Sequence, residues 1–216
     1  MEDKYFVNIG RQLGSGGREI GERLAARLGI AFYDKELLRL AAQESGLHPE
    51  FFEKADERAN KLRMGGLFGL RFTLGNHAMS PYDNCLSNDA LFRVQSDVIR
   101  HLAEKESCLF VGRCADYILR EQPHCINIFI TANRADRVRR LCLLHPEMTE
   151  SQAADMINRM DRRRATYYNY YTNRQWGVAS SYHLCIESSP LGVDRTVDLL
   201  EQFIRAKLEQ DAHRKA

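Results

Sequence analysis

The chain has 216 residues, 44% hydrophobic and 28% charged, with 31 basic against 29 acidic side chains for a net charge of +2. This fits one globular domain with a core of its own and excludes a disordered or fibrous chain. The charge balance makes no general case for nucleic acid or an anionic membrane surface, no apolar run nears the roughly 20 residues of a membrane span, and the opening Met1–Val7 lacks an apolar signal core, so a cytoplasmic protein is expected.

Tyr5–Ile9 is a short β-prone run leading into the glycine-rich stretch Arg11-Gln-Leu-Gly-Ser-Gly-Gly17. Ile20, Leu24 and Leu28 then recur at helical spacing, with Gly29 as a stop. Ile30–Tyr33 is a second strand, and Asp34 stands where it can cap a helix over 35–43. A weakly amphipathic helix is expected over 48–62. Residues 63–84, where glycines interrupt Leu67, Phe68, Leu70, Phe72 and Leu74, are expected to be an irregular insertion. Ala90, Val94, Val98 and Leu102 mark a long helix. Cys108–Val111 and Cys125–Ile130 are continuous apolar runs, helices are expected at 133–144 and 150–171, and Tyr182–Glu187 reads as the last strand. Val193, Val197, Leu200, Ile204 and Leu208 share one face of a final helix.

Short apolar strands alternating with helices predict an α/β domain with a buried parallel sheet. Ligands of such sheets bind at the carboxyl ends of the strands, here the loops after Ile9, Tyr33, Val111, Ile130 and Glu187. The six cysteines have no CxxC pair, so they are expected to be reduced, mostly buried and without zinc. Of the 31 basic residues 24 are arginine, the side chain suited to forked contacts with phosphate.

The strongest signal is Gly14, Ser15, Gly16 and Gly17 between the first strand and first helix. Glycines there allow several backbone N–H groups to face one anion at the positive end of a helix. The common phosphate-loop pattern places a lysine and a hydroxyl residue next. Here Gly17, Arg18 and Glu19 follow Gly16, so Arg18 is the candidate for the missing charge and Ser15 the candidate Mg2+ ligand. Arg113, just past a strand's carboxyl end, is a candidate for an acceptor phosphate. Asp34 either caps its helix or contacts the acceptor. Arg159, Arg162 and Arg163 share a helix face, a crowding of like charge that an anion would answer. Tyr167, Tyr168, Tyr170, Tyr171 and Trp176 form an aromatic group beside them.

The stretches Ile9–Ala25, Phe32–Leu38, Val111–Leu119, Asp161–Thr172 and Trp176-Gly177 resemble the cytidylate kinase-like family, in family order and over nearly the whole chain. The resemblance implies a nucleoside-monophosphate-kinase-like three-layer α/β fold. That fold has a five-stranded parallel sheet with helices on both faces, a nucleotide-binding insertion near 45–85 and an Arg-rich helical lid near 150–177, all within one domain. It implies ATP and Mg2+ as cofactors, a small nucleotide as partner, and an acceptor site including Arg113 and Asp161. Cytidylate kinases proper carry a loop lysine where Gly17 stands, an aspartate where Cys114 stands and an acidic residue where Arg163 stands. The expectation is therefore a phosphotransferase acting on a CMP-like monophosphate or related small acceptor. A nucleotide-sensing module that lacks catalysis is the rival, and a homodimer built on residues 63–84 and the tyrosines is a third reading.

Overall fold

The computed structural model describes residues 4–34 and 81–213. The helices expected over 35–43 and 48–62, and the insertion up to residue 80, lie outside the described residues. Residues 81–84, expected to be irregular, are helical: Pro81 opens a helix running to Lys105, and proline's fixed φ suits a first helical turn. Two compact units divide the chain, Met1–Lys35 with Ile99–Ala216, and Glu36–Val98. The second contributes only residues 81–98 of that helix to the description.

The first unit holds five parallel strands, β1 (Phe6–Arg11), β2 (Ala31–Tyr33), β3 (Cys108–Val111), β4 (Cys125–Thr131) and β5 (Leu184–Glu187), in the spatial order β2-β3-β1-β4-β5. Its helices are α1 (Gly17–Leu28), the end of α2 (Pro81–Lys105), α3 (Ala115–Ile118), α4 (Arg134–Leu144), α5 (Glu150–Thr172) and α6 (Gly192–His213). Strand β1 runs two residues past the expected Ile9 because Gly10 and Arg11 pair with Phe129 and Ile130 of β4. That extension carries Arg11 to the sheet's carboxyl end.

Val7 and Ile9 lie beside Leu109, Val111, Ile126 and Ile128 on one sheet face, where Ile20 and Leu24 of α1 and Val197, Leu200 and Ile204 of α6 cover them. These side chains are almost fully buried, each contributing about 1.5–3 kcal/mol relative to exposure. The opposite face carries Phe6, Asn8, Phe110 and Phe129, also buried. A smaller core joins Leu141 of α4 to Ala153 and Ile157 of α5, with Leu13 of the glycine-rich loop packed against it. Gly29, at φ +67°, closes α1 as expected. Asn133 caps α4, and Thr149 with Gln152 forms a reciprocal capping box on α5. Among the described cysteines all five are free thiols. Cys108 and Cys114 are buried, Cys125 and Cys142 half-buried, and Cys185 is exposed.

Candidate functional site

The glycine-rich loop leaves β1 at its carboxyl end and feeds α1. Gly14 (φ +79°) and Gly16 (φ +76°) lie in the left-handed region that favours glycine. Gly16 is the N-cap of α1 and supplies no side-chain cap. Among the described residues nothing accepts the amides of Gly14, Gly16 or Glu19, so these N–H groups and the positive end of α1 remain available to an anion. Ser15 is buried: its hydroxyl donates to the Gln12 carbonyl at 2.9 Å and accepts from the Gly17 N–H at 3.3 Å, while Ser188 Oγ donates to the Ser15 carbonyl at 2.8 Å. Ser15 thus braces the loop.

Leu13 is held by two hydrogen bonds whose partners also pair with each other. Its N–H donates to Asp161 Oδ1 at 2.8 Å, its carbonyl accepts from Arg137 Nε at 2.7 Å, and Arg137 Nη2 pairs with Asp161 Oδ2. Asp161, expected at the acceptor, is tied to the glycine-rich loop through Leu13. Arg164, one turn on, donates to the Arg11 carbonyl at 3.1 Å. Arg159, Arg162 and Arg163 do share a helix face as expected, but it is the exposed one. The packed stripe of α5 is Ala153, Ile157, Asp161, Arg164, Tyr168 and Thr172, so Arg164 is the arginine that meets the loop.

Arg18 turns along α1, pairing with Asp34 Oδ2 at 2.7 Å and Glu22 at 3.2 Å. Asp34 is buried, and the helix it was expected to cap lies outside the described residues. Glu19 pairs with Arg23 at 2.6 Å and Arg140 at 2.9 Å, which places the Arg140 guanidinium against Gly16. Gly112, Arg113 and Cys114 all have φ between +57° and +79°. Two successive non-glycine residues in that region cost roughly 1–2 kcal/mol each, strain that marks functional loops. The Arg113 side chain has Tyr167 as its hydrogen-bond partner.

Arg11 was not among the expected site residues. A Cβ at Gly17 would stand 2.7 Å from Arg11 Cβ, and one at Gly112 would stand 3.2 Å from Arg11 Nη1. The side chain therefore runs from the phosphate-type loop to the loop that carries Arg113. Burial lowers its pKa to about 10, helped by the charges of Arg164, Arg113 and Arg18 and opposed by Asp34. Burial likewise lowers Arg113 and Arg164. Several guanidinium groups thus crowd the carboxyl ends of β1 and β3. In the sequence Arg11 stood two residues beyond the expected strand end at Ile9, at the head of the glycine-rich stretch.

At the sheet's other end, the amino ends of β4 and β5, a polar groove of about 730 Å3 is lined by Asp116, His124, Arg174, His183, Lys207 and Asp211 among others. Asp116 accepts a 2.6 Å hydrogen bond from Tyr168, and burial raises its carboxyl. Among the described residues no three His, Cys, Asp or Glu side chains are placed to hold a metal, and no helix is long and apolar enough to cross a membrane.

A five-stranded parallel sheet with a glycine loop between its first strand and first helix, facing clustered arginines, defines a phosphate-loop kinase fold. The chain belongs to the cytidylate kinase-like family, whose model matches residues 6–190. A crystal structure of an uncharacterized protein from Eubacterium ventriosum ATCC 27560 is similar over 94% of this chain and 99% of its own, at 28% identity and a TM-score of 0.70. Shikimate kinase from Bacteroides thetaiotaomicron is 14% identical over 95% of this chain and 98% of its own, with a TM-score of 0.51. TT1252 from Thermus thermophilus is 16% identical over 96% and 99%, with a TM-score of 0.52. The last two show the fold alone. No curated protein matches the sequence. Family and fold together support a nucleotide-binding phosphotransferase in general terms.

Proposed function

We propose that the protein transfers the γ-phosphate of ATP to a small anionic acceptor of the nucleoside-monophosphate class. The observation that carries the reading is the pairing of an anion-ready loop with like-charged neighbours. Among the described residues nothing accepts the amides of Gly14 and Gly16 at the N-terminus of α1, and Arg11, Arg113 and Arg164 crowd one end of the sheet, where Asp34 attracts Arg11 and Asp161 pairs with Arg164 at 3.7 Å. Half-buried cations held that close gain from further groups of opposite charge, and phosphoryl oxygens are such groups.

In this reading the loop amides and the α1 dipole hold the donor phosphates, and Arg113 with Asp34 orients the acceptor. An acceptor phosphate is already anionic, so the step needs positioning and charge neutralisation more than a base. Arg163 already acts on Arg113 through its charge, and closure of α5 over bound ligand as a lid would bring Arg159 and Arg162 toward the transferring group. Kinases of this type use Mg2+, which takes few protein ligands: Ser15 would offer it the hydroxyl that now donates to the Gln12 carbonyl, beside phosphate oxygens and water. The protein's own contribution is amides and guanidinium groups.

The sensing alternative draws on Gly17, where a catalytic lysine would stand. A coupled assay of ADP release against a panel of nucleoside monophosphates separates the two. Turnover that falls on the order of a hundredfold in Arg113→Ala supports transfer, since one lost charge-stabilising donor has that effect. ATP that raises Tm while every acceptor stays unphosphorylated supports sensing.

A further inference from the structure

We propose that Arg11 is the cation of the phosphate loop, supplied from the end of β1 in place of the lysine that Gly17 excludes. The inference rests on the phosphotransferase reading above and adds the residue that answers the loop's missing charge.

The argument begins with space. The residue after Gly16 lies where the stem of Arg11 already runs: a Cβ at position 17 would meet Arg11 Cβ at 2.7 Å and Cδ at 3.3 Å. Real Cβ atoms do not approach that closely, so glycine at 17 and a long side chain at 11 are one arrangement. The stem fills the volume that a side chain at 17 would need. Beyond it the guanidinium reaches Gly112, where Nη1 would stand 3.2 Å from a Cβ. The charge therefore lies between the loop that would hold the donor and Arg113 on the loop that would hold the acceptor, which is where a phosphoryl group in transfer would pass.

The other expected source of charge is committed elsewhere, since Arg18 pairs with Asp34 and Glu22. Arg11 has the opposite surroundings. It is half-buried, and the charges of Arg164, Arg113 and Arg18 repel it while Asp34 alone attracts it. Kept for stability alone, such a cation is a poor choice, because burial and like charge both oppose it. Held for an anion, it is preorganised: its desolvation and repulsion are answered when phosphate oxygens arrive.

That opposition gives a signature that a structural arginine lacks. Arg11→Gln relieves the repulsion, so without ligand its Tm should rise by about 2–4 °C, the shift a modest stabilisation gives a chain of this size. Its affinity for ATP with Mg2+, and for tripolyphosphate, should fall at least tenfold by calorimetric titration. Arg11→Lys should keep part of the affinity. Arg11→Gly with Gly17→Lys, which moves the charge to the position vacated, should bind more tightly than Arg11→Gln. If wild-type protein binds triphosphate and Arg11→Gln binds it as tightly, Arg11 is not the loop cation. If Arg11→Gln loses both Tm and affinity while the exchange variant restores neither, Arg11 is a structural residue and the proposal fails. If wild-type protein binds neither ATP nor tripolyphosphate, the phosphotransferase reading itself falls, and the two failures are thereby told apart.

Discussion

His183 shows how one side chain at the far end of the sheet writes a pH dependence into the fold. Its Nδ1 accepts the Asn127 N–H at 2.9 Å, so the folded state needs that nitrogen unprotonated. Burial lowers its pKa below the usual 6.5, Lys207 adds to the effect, and Asp211 opposes it. A histidine whose folded pKa is depressed binds fewer protons in the native than in the unfolded chain, so stability is lost as pH falls through 6.5 and below. The expected outcome is a Tm that drops between pH 7.5 and 5.5 more steeply in wild-type protein than in His183→Asn, whose Oδ1 can still accept the amide. Equal slopes in thermal melts would mean that the hydrogen bond does not select the neutral ring. Gly16 makes a second case at this scale. At φ +76°, with Arg140 3.1 Å from where a Cβ would be, Gly16→Ala should cost roughly 1–2 kcal/mol in denaturant unfolding and displace Arg140 from the loop.

Among the elements, α5 decides how the loop is held, and the bracket on Leu13 is where that can be tested. Asp161 accepts the Leu13 N–H while Arg137 donates to the Leu13 carbonyl, and the two charges face each other. Asp161→Asn turns an amide donor toward Arg137, so it should loosen the loop while leaving the sheet intact. Hydrogen exchange of peptides covering residues 12–18 should quicken by tenfold or more, with peptides from β4 unchanged; a uniform change would assign Asp161 to global stability instead. Helix and strand positions were legible because the apolar spacing is strong: Cys108–Val111 and Cys125–Ile130 are short continuous apolar runs, each followed by a helical segment. The orientation of α5 was less legible. Arg159, Arg162 and Arg163 form a face by spacing, but which face turns inward is set by where Ala153, Ile157 and Tyr168 pack, a tertiary fact. Arg11 was missed for a related reason, because only the extra pairing of Gly10 and Arg11 with β4 carries it to the site. The left-handed run at Gly112–Cys114 is forced by the surrounding fold, and no residue after Gly112 announces it.

Over the whole molecule a net charge of +2 hides a strong local asymmetry. One sheet face is an unbroken aliphatic core between α1 and α6, and their exposed seam is laced by Arg23–Asp194 and by Arg27 with Asp198 and Glu201, pairs that exposure makes individually weak. The carboxyl ends of β1 and β3, by contrast, concentrate Arg11, Arg113 and Arg164, where burial first and neighbouring guanidinium groups second keep all three below their ordinary pKa, Arg163 acting on Arg113 and Arg137 and Arg113 on Arg164. The sheet order β2-β3-β1-β4-β5 produces this, since it sets β1 beside β3 and so brings the loop after residue 11 next to the loop after residue 111. A fold that stores repulsion at one end should gain stability from any compact multivalent anion that fits there. Phosphate or sulfate should therefore raise Tm, with the gain growing as the logarithm of concentration and reaching about 2.7 kcal/mol at a hundredfold excess over Kd. At 2–4 °C for each kcal/mol, that is a shift of about 5–10 °C. Sodium chloride at matched ionic strength separates the two physical origins, because screening acts on every surface charge whereas a site selects for the oxyanion. Phosphate that stabilises wild-type protein well beyond chloride, and loses that advantage in Arg113→Ala with Arg164→Ala, places the anion among these arginines. Phosphate and chloride of equal effect in both proteins would leave the crowding unanswered by any oxyanion and remove the electrostatic basis of the site.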